Sequence, residues 1–172
     1  MKPRRGPIHR RLTLARDDPL VRAAPYFLVL VLAGCTPGAP SAGTGTAAVV
    51  ATTTVDVSLS TFTVTATQFG SSGGFTPPVT TVTVGSTIRF INVDVGTPHT
   101  STSLSGSSFP PSSPFGAAAF NQFGGTLSSG WSSGTLGGGN GSQILLADRP
   151  GTYLYGCAYH YGTPMRGAIV VH

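Results

Sequence analysis

Gly151-Thr152-Tyr153-Leu154-Tyr155-Gly156-Cys157-Ala158-Tyr159-His160-Tyr161-Gly162-Thr163-Pro164-Met165-Arg166-Gly167-Ala168-Ile169-Val170-Val171 is the most informative stretch of the chain. Its two ends are rich in β-branched and aromatic residues, and Gly, Thr and Pro punctuate the middle. Such a pattern predicts two neighbouring strands, near 151–157 and 167–171, joined by a tight loop. Tyr153 and Tyr155 then share one strand face and are expected to be structural. The loop carries Cys157, His160 three positions on and Met165 five positions further.

Moving outward, period-2 alternation recurs at 55–59, 62–66, 79–84, 87–93 and 142–146, with Gly-Ser and Pro-Pro turns between. No amphipathic helix is evident. The pattern predicts an all-β fold, a Greek-key β-sandwich of about seven to eight strands, which would run antiparallel. Between 101 and 141 the composition shifts to Ser, Gly and Pro. An unstructured loop of that length is unusual in a compact domain. Two readings stay open: one or two irregular strands with Phe115, Phe120, Phe123 and Trp131 packed on the sandwich, or a mobile flap beside the loop.

The 172-residue chain has a formal charge of +5, yet the excess is confined to its start. Lys2, Arg4, Arg5, Arg10, Arg11, Arg16 and Arg22 outnumber Asp17 and Asp18 there. Beyond residue 34, Arg89, Arg149 and Arg166 balance Asp56, Asp94 and Asp148. A neutral body has no basic patch for phosphates, so no nucleic-acid partner is expected. The basic start leads into Tyr26-Phe27-Leu28-Val29-Leu30-Val31-Leu32-Ala33, too short for a membrane span but typical of an export signal. Leu32-Ala33-Gly34-Cys35 resembles a bacterial lipobox. Residues 1–34 are therefore expected to be a lipoprotein signal peptide cleaved before Cys35. Residues 35–48 would be a lipidated N-terminus and flexible linker, and 49–172 the folded domain with its insertion at 101–141. The product would be exported and lipid-anchored on the extracytoplasmic side of a bacterial membrane, in the periplasm or at the cell surface.

With Cys35 committed to a lipid, Cys157 has no disulfide partner, and a lone thiol in an exported protein calls for a role. Thiolate, imidazole and thioether are soft or borderline ligands. A trigonal set of two His and one Cys with a weak axial Met is an electron-transfer copper site. His160 supplies one imidazole. His99, in Pro98-His99-Thr100 after a predicted strand, supplies the second, while His172 is terminal and expected to be exposed. Protein atoms would fill every coordination position. That disfavours metal-assisted hydrolysis, which needs a bound water, and no enzyme activity is expected.

These residues resemble the plastocyanin-type cupredoxins, the small blue copper proteins. The likeness rests on the strand leading to Pro98-His99 and on the spacing Cys157-x2-His160-x4-Met165-x-Gly167. It implies one copper ion cycling between Cu(I) and Cu(II), with His99, Cys157 and His160 equatorial and Met165 axial. It also implies one-electron transfer to redox protein partners. The family often has Asn after its first His; here Thr100 stands there and could brace the Cys loop through a shorter contact or none. Tyr159, Tyr161 and Pro164 are candidates for an apolar docking rim. A monomer is expected. Two other classes stay open: a copper-binding protein for storage, delivery or protection, and a metal-free adhesive β-domain.

Overall fold

The computed structural model describes residues 51–172. The expected signal peptide, Cys35 and the linker lie outside the described residues. Twelve short strands follow one another: β1 (Thr52–Val57), β2 (Thr65–Thr67), β3 (Gly70–Ser72), β4 (Phe75–Thr76), β5 (Val79–Val82), β6 (Thr87–Asn92), β7 (Thr102–Ser103), β8 (Gln122–Phe123), β9 (Ser132–Ser133), β10 (Leu145–Leu146), β11 (Gly151–Gly156) and β12 (Arg166–Val171). A single 3-10 turn, Ala117–Phe120, precedes β8. Among the described residues no helix is long and apolar enough to cross a membrane.

The strands form a sandwich. One sheet has the order β10-β6-β1-β4 and the other β5-β12-β11-β7-β9-β8, with β2-β3 a separate hairpin. The strand number exceeds the expected seven to eight because five two-residue pairings, β4 and β7 to β10, join the longer strands. The expected antiparallel arrangement needs a correction. β1 and β6 run parallel over six residue pairs, and β5 lies parallel to β12. Parallel neighbours need a long crossover between them. The chain from Val57 to Thr87 supplies one, passing through the β2–β3 hairpin, β4 and β5.

Alternation explains which face each strand buries. In β1, Val55 and Val57 point inward while Thr54 and Asp56 face out; in β6, Ile88, Phe90 and Asn92 are buried and Arg89 is exposed. β12 lies between β5 and β11, and its Gly167-Ala168-Ile169 run is buried continuously. Burial of such apolar surface is the main favourable term in folding. At the centre, Tyr155 meets Phe75 and Phe90 edge-on with ring centroids 4.8 and 5.0 Å apart. Edge-to-face pairs align the positive ring edge with the negative face.

The 101–141 segment is ordered into β7, the 3-10 turn, β8 and β9, so it extends the second sheet instead of forming a flap. Trp131, Leu127 and Leu136 enter the core, with Trp131 fully buried 6.2 Å from the Tyr155 ring. Of the four aromatics expected to pack there, only Trp131 does so completely. Phe120 and Phe123 remain exposed, and Phe115 packs edge-on against Tyr161. Trp131→Ala should therefore destabilise the metal-free domain by about 3–5 kcal/mol, as for other large aromatic truncations in cores. Urea unfolding followed by circular dichroism measures it. A loss below about 1 kcal/mol would mean that the segment is not part of the core.

Candidate metal centre

β11 ends at Gly156, which delivers Cys157 at the mouth of the loop expected from the sequence. The Cys157 N–H donates to the Met165 carbonyl at 3.1 Å, closing the loop at its base. Inside it, the Thr163 N–H and hydroxyl both donate to the His160 carbonyl, at 3.1 and 2.8 Å. His99 arrives from the other sheet, seven residues beyond the end of β6. It exchanges two backbone hydrogen bonds with Leu136, at 3.1 and 2.8 Å. Part of the inserted segment therefore pins the distant histidine.

Three donor atoms converge. Cys157 Sγ lies 3.6 Å from His160 Nδ1 and 3.8 Å from His99 Nδ1, and the two Nδ1 atoms are 3.2 Å apart. Bond lengths of about 2.0 Å to nitrogen and about 2.3 Å to sulfur suit a first-row ion. In a trigonal plane they would separate the nitrogens by about 3.5 Å and each nitrogen from sulfur by about 3.7 Å. The triangle has nearly those sides, so the three side chains fit around one ion. Among the described residues these form the metal-capable cluster of His and Cys donors.

Met165 is fully buried, and its backbone pairs with Gly73. Its side chain lies over Gly74, where a Cβ would sit 2.6 Å from Met165 Cγ. Gly74 also has φ +71°, so both space and backbone favour glycine there. His172 is exposed, and its backbone pairs with Val82 and Val84 away from the loop.

Two further groups surround the donors, of which the sequence points only to Thr100. Asp94 is buried, and its Oδ2 lies 2.8 Å from His99 Nε2. The same carboxylate accepts from the Ser58 and Ser60 hydroxyls, at 2.5 and 2.6 Å, and from the N–H groups of Leu59 and Ser60. Burial opposes its ionisation, but these hydrogen bonds outweigh burial and hold the carboxyl well below its usual range. Asn92 orients the intervening turn: its Nδ2 donates to the Thr97 and Leu136 carbonyls, and its Oδ1 accepts from the Asp94 N–H. The only sequence signal for Asp94 is a carboxylate in a nearly uncharged body five residues before His99.

Thr100 is the second group. Its N–H points at Cys157 Sγ at 3.4 Å, and its Oγ1 accepts the Ala158 N–H at 2.8 Å. Threonine thus does brace the Cys loop. Burial pushes the Cys157 thiol up, against the lowering effect of the Thr100, His160 and Tyr159 N–H groups. His160 is pushed down, first by burial and then by His99, with Asp94 opposing. Its neutral, ligating form is favoured accordingly.

Of the expected docking rim, Tyr159 is 42% exposed and packs at a tilt against Phe120, with ring centroids 4.8 Å apart. Pro164 is half-buried. Tyr161 is a correction, for it is only 1% exposed. Its hydroxyl donates to the Pro110 carbonyl at 2.9 Å, and the Arg166 guanidinium lies 4.1 Å over its ring. The inserted segment and Arg166 cover the ring and keep it off the surface.

No protein-family model and no curated protein matches the chain. Its neighbours among solved structures are cupredoxins. A purple cupredoxin from Nitrosopumilus maritimus superposes with TM-score 0.44 and 19% identity, over 70% of this chain and 99% of that one. A reduced amicyanin variant gives TM-score 0.43 and 18% identity, over 70% of this chain and 82% of that one. A Cu(I) amicyanin variant gives 0.41 and 18% over the same shares.

Two outcomes follow from this geometry. Thr100→Val removes the acceptor of the Ala158 N–H at nearly constant volume, so the metal-free domain should lose about 1–3 kcal/mol in urea unfolding. An unchanged midpoint would mean that the contact does not brace the loop. Separately, the folded state holds the Cys157 proton to higher pH than the unfolded chain does. Metal-free stability should therefore fall as pH rises above the ordinary thiol range. Cys157→Ser should lessen that fall; the same slope in both proteins would contradict it.

Proposed function

We propose that the chain is an exported one-electron carrier whose single copper ion is held by His99, Cys157 and His160, with Met165 as a weak axial ligand. The observation that carries this reading is the triangle of two nitrogens and one sulfur, whose sides match one first-row ion bound through two imidazoles and one thiolate. Copper, when bound, supplies the exchange of one electron between Cu(II) and Cu(I), with the electron given up by one protein partner and passed to another. Soft sulfur favours Cu(I) and imidazole serves both states, so this mixture suits an ion that must cycle. Closed hydrogen bonds on both loops hold the donors in place, which keeps rearrangement between oxidation states small.

Burial supports a carrier over a storage or delivery protein. Cys157 and His99 are fully buried, and handing an ion to a partner requires donors that the partner can reach. It also supports a non-enzymatic role, because Cys157 and His99 present no surface to a substrate. His160 is the partly exposed ligand, beside the Tyr159–Phe120 pair. Electrons would pass at that edge, where aromatic surface is exposed. The leader at 1–34 and the lipobox-like Cys35 support export and tethering to a bacterial membrane through a lipid, facing redox partners outside the cytoplasm.

Adding Cu(II) to the purified domain should produce an intense thiolate-to-copper absorption band in the visible range, lost in Cys157→Ser. Well-folded protein that stays colourless would overturn the reading. Met165→Leu should keep the colour and raise the reduction potential, because loss of the axial donor disfavours Cu(II); a lower potential would remove Met165 from the ligand set. With so few surface charges, association with a partner should depend weakly on ionic strength. Stopped-flow rates that drop steeply with salt would show charge-steered docking instead.

A further inference from the structure

Asp94 is the one buried carboxylate among the described residues, and it touches a donor of the site. A buried ionised group is costly unless hydrogen bonds compensate it. Here the Ser58 and Ser60 hydroxyls, two N–H groups and one imidazole nitrogen surround it. The carboxylate accepts, so His99 Nε2 must donate. That choice leaves a lone pair on Nδ1, the nitrogen facing Cys157 and His160. Carboxylates bonded to the far nitrogen of a ligating histidine fix its tautomer and raise its basicity.

Resting on the copper reading above, we propose that Asp94 is a positioning residue that sets both the tautomer of His99 and the reduction potential of the centre. With one thiolate and two neutral imidazoles, the site carries a net charge of +1 with Cu(II) and zero with Cu(I). A fixed negative charge one imidazole away stabilises the oxidised state more than the reduced one. The potential therefore sits lower than the ligand set alone would place it. Ser58 and Ser60 act in the opposite sense, because each hydroxyl draws carboxylate charge away from His99. The centre is thus tuned through a network anchored just beyond β1, outside the loop that carries most of its ligands.

Two arms test this. The first uses copper-free protein: nitrogen-15 NMR of the imidazoles should show His99 as the Nε2–H tautomer, with that proton slow to exchange. An Nδ1–H tautomer would overturn the positioning claim, whether or not the protein takes copper. The second is voltammetry of the copper-loaded protein. Asp94→Asn should keep the visible band and raise the potential. Ser60→Ala, at an exposed position, should lower it, and Asp94→Glu should restore part of the wild-type value. A role limited to holding the fold predicts no pair of opposite shifts, so potentials unchanged in both variants, or moved the same way, would overturn the tuning claim. If Asp94→Asn fails to fold, the Ser60→Ala shift and the copper-free tautomer still decide. A wild-type protein that never colours with Cu(II) would refute the copper reading, and the NMR arm would then judge Asp94 alone.

Discussion

Thr100 joins two chain segments that sequence keeps 57 residues apart, its N–H reaching the Cys157 sulfur and its Oγ1 taking the Ala158 N–H. The whole centre depends on that junction. Three electron-rich donors lie within 3.8 Å of one another, with few protons to share among them. The scaffold must hold them together. It does so from two sides. The β11–β12 loop is closed by the Cys157–Met165 hydrogen bond, and the His99 segment is closed by Leu136 and by Asp94. Thr100 ties the two sides together.

Polar groups are concentrated around this junction, and their satisfaction gives the site its rigidity. Asn92, Asp94, Thr100 and His99 are all buried, yet each has named partners. A fully paired polar network in a low-dielectric interior specifies one arrangement, because any other leaves a group unpaired at a cost of about 1–3 kcal/mol. The apolar floor beneath, built from Tyr155, Phe75, Phe90 and Trp131, fixes the sheets that carry both loops. The proposed electron carrier would benefit from this construction, since a site that moves little when its charge changes loses little energy to reorganisation.

The ligand loop was the most legible part of the sequence. Cys157, His160 and Met165 fall between two strands whose β-branched and aromatic composition marks them plainly, and β11 and β12 lie within a residue of the expected bounds. His99 was legible by elimination among few histidines. Other features were hidden for identifiable reasons. Parallel pairing of β1 with β6 leaves no trace in alternation, because both pairings place alternate residues inward. Tyr161 looks like a surface residue until Phe115, Pro110 and Arg166 are folded over it from distant positions. Asp94 looks like one more solvated charge, and only the fold brings Ser58 and Ser60 to it. The Ser-, Gly- and Pro-rich composition of 101–141 leaves irregular strands and a mobile flap both open, and of its apolar residues Leu127, Trp131 and Leu136 are the ones that join the core cluster.

The central claim is that one copper ion sits in a preformed plane of two imidazoles and a thiolate, and keeps that plane in both oxidation states. X-ray absorption at the copper edge, on oxidised and then reduced protein, tests it most directly. Two nitrogen neighbours at about 2.0 Å and one sulfur at about 2.3 Å are predicted, with nearly the same shells after reduction. A first shell without sulfur, or one that exchanges an imidazole for water on reduction, would contradict it.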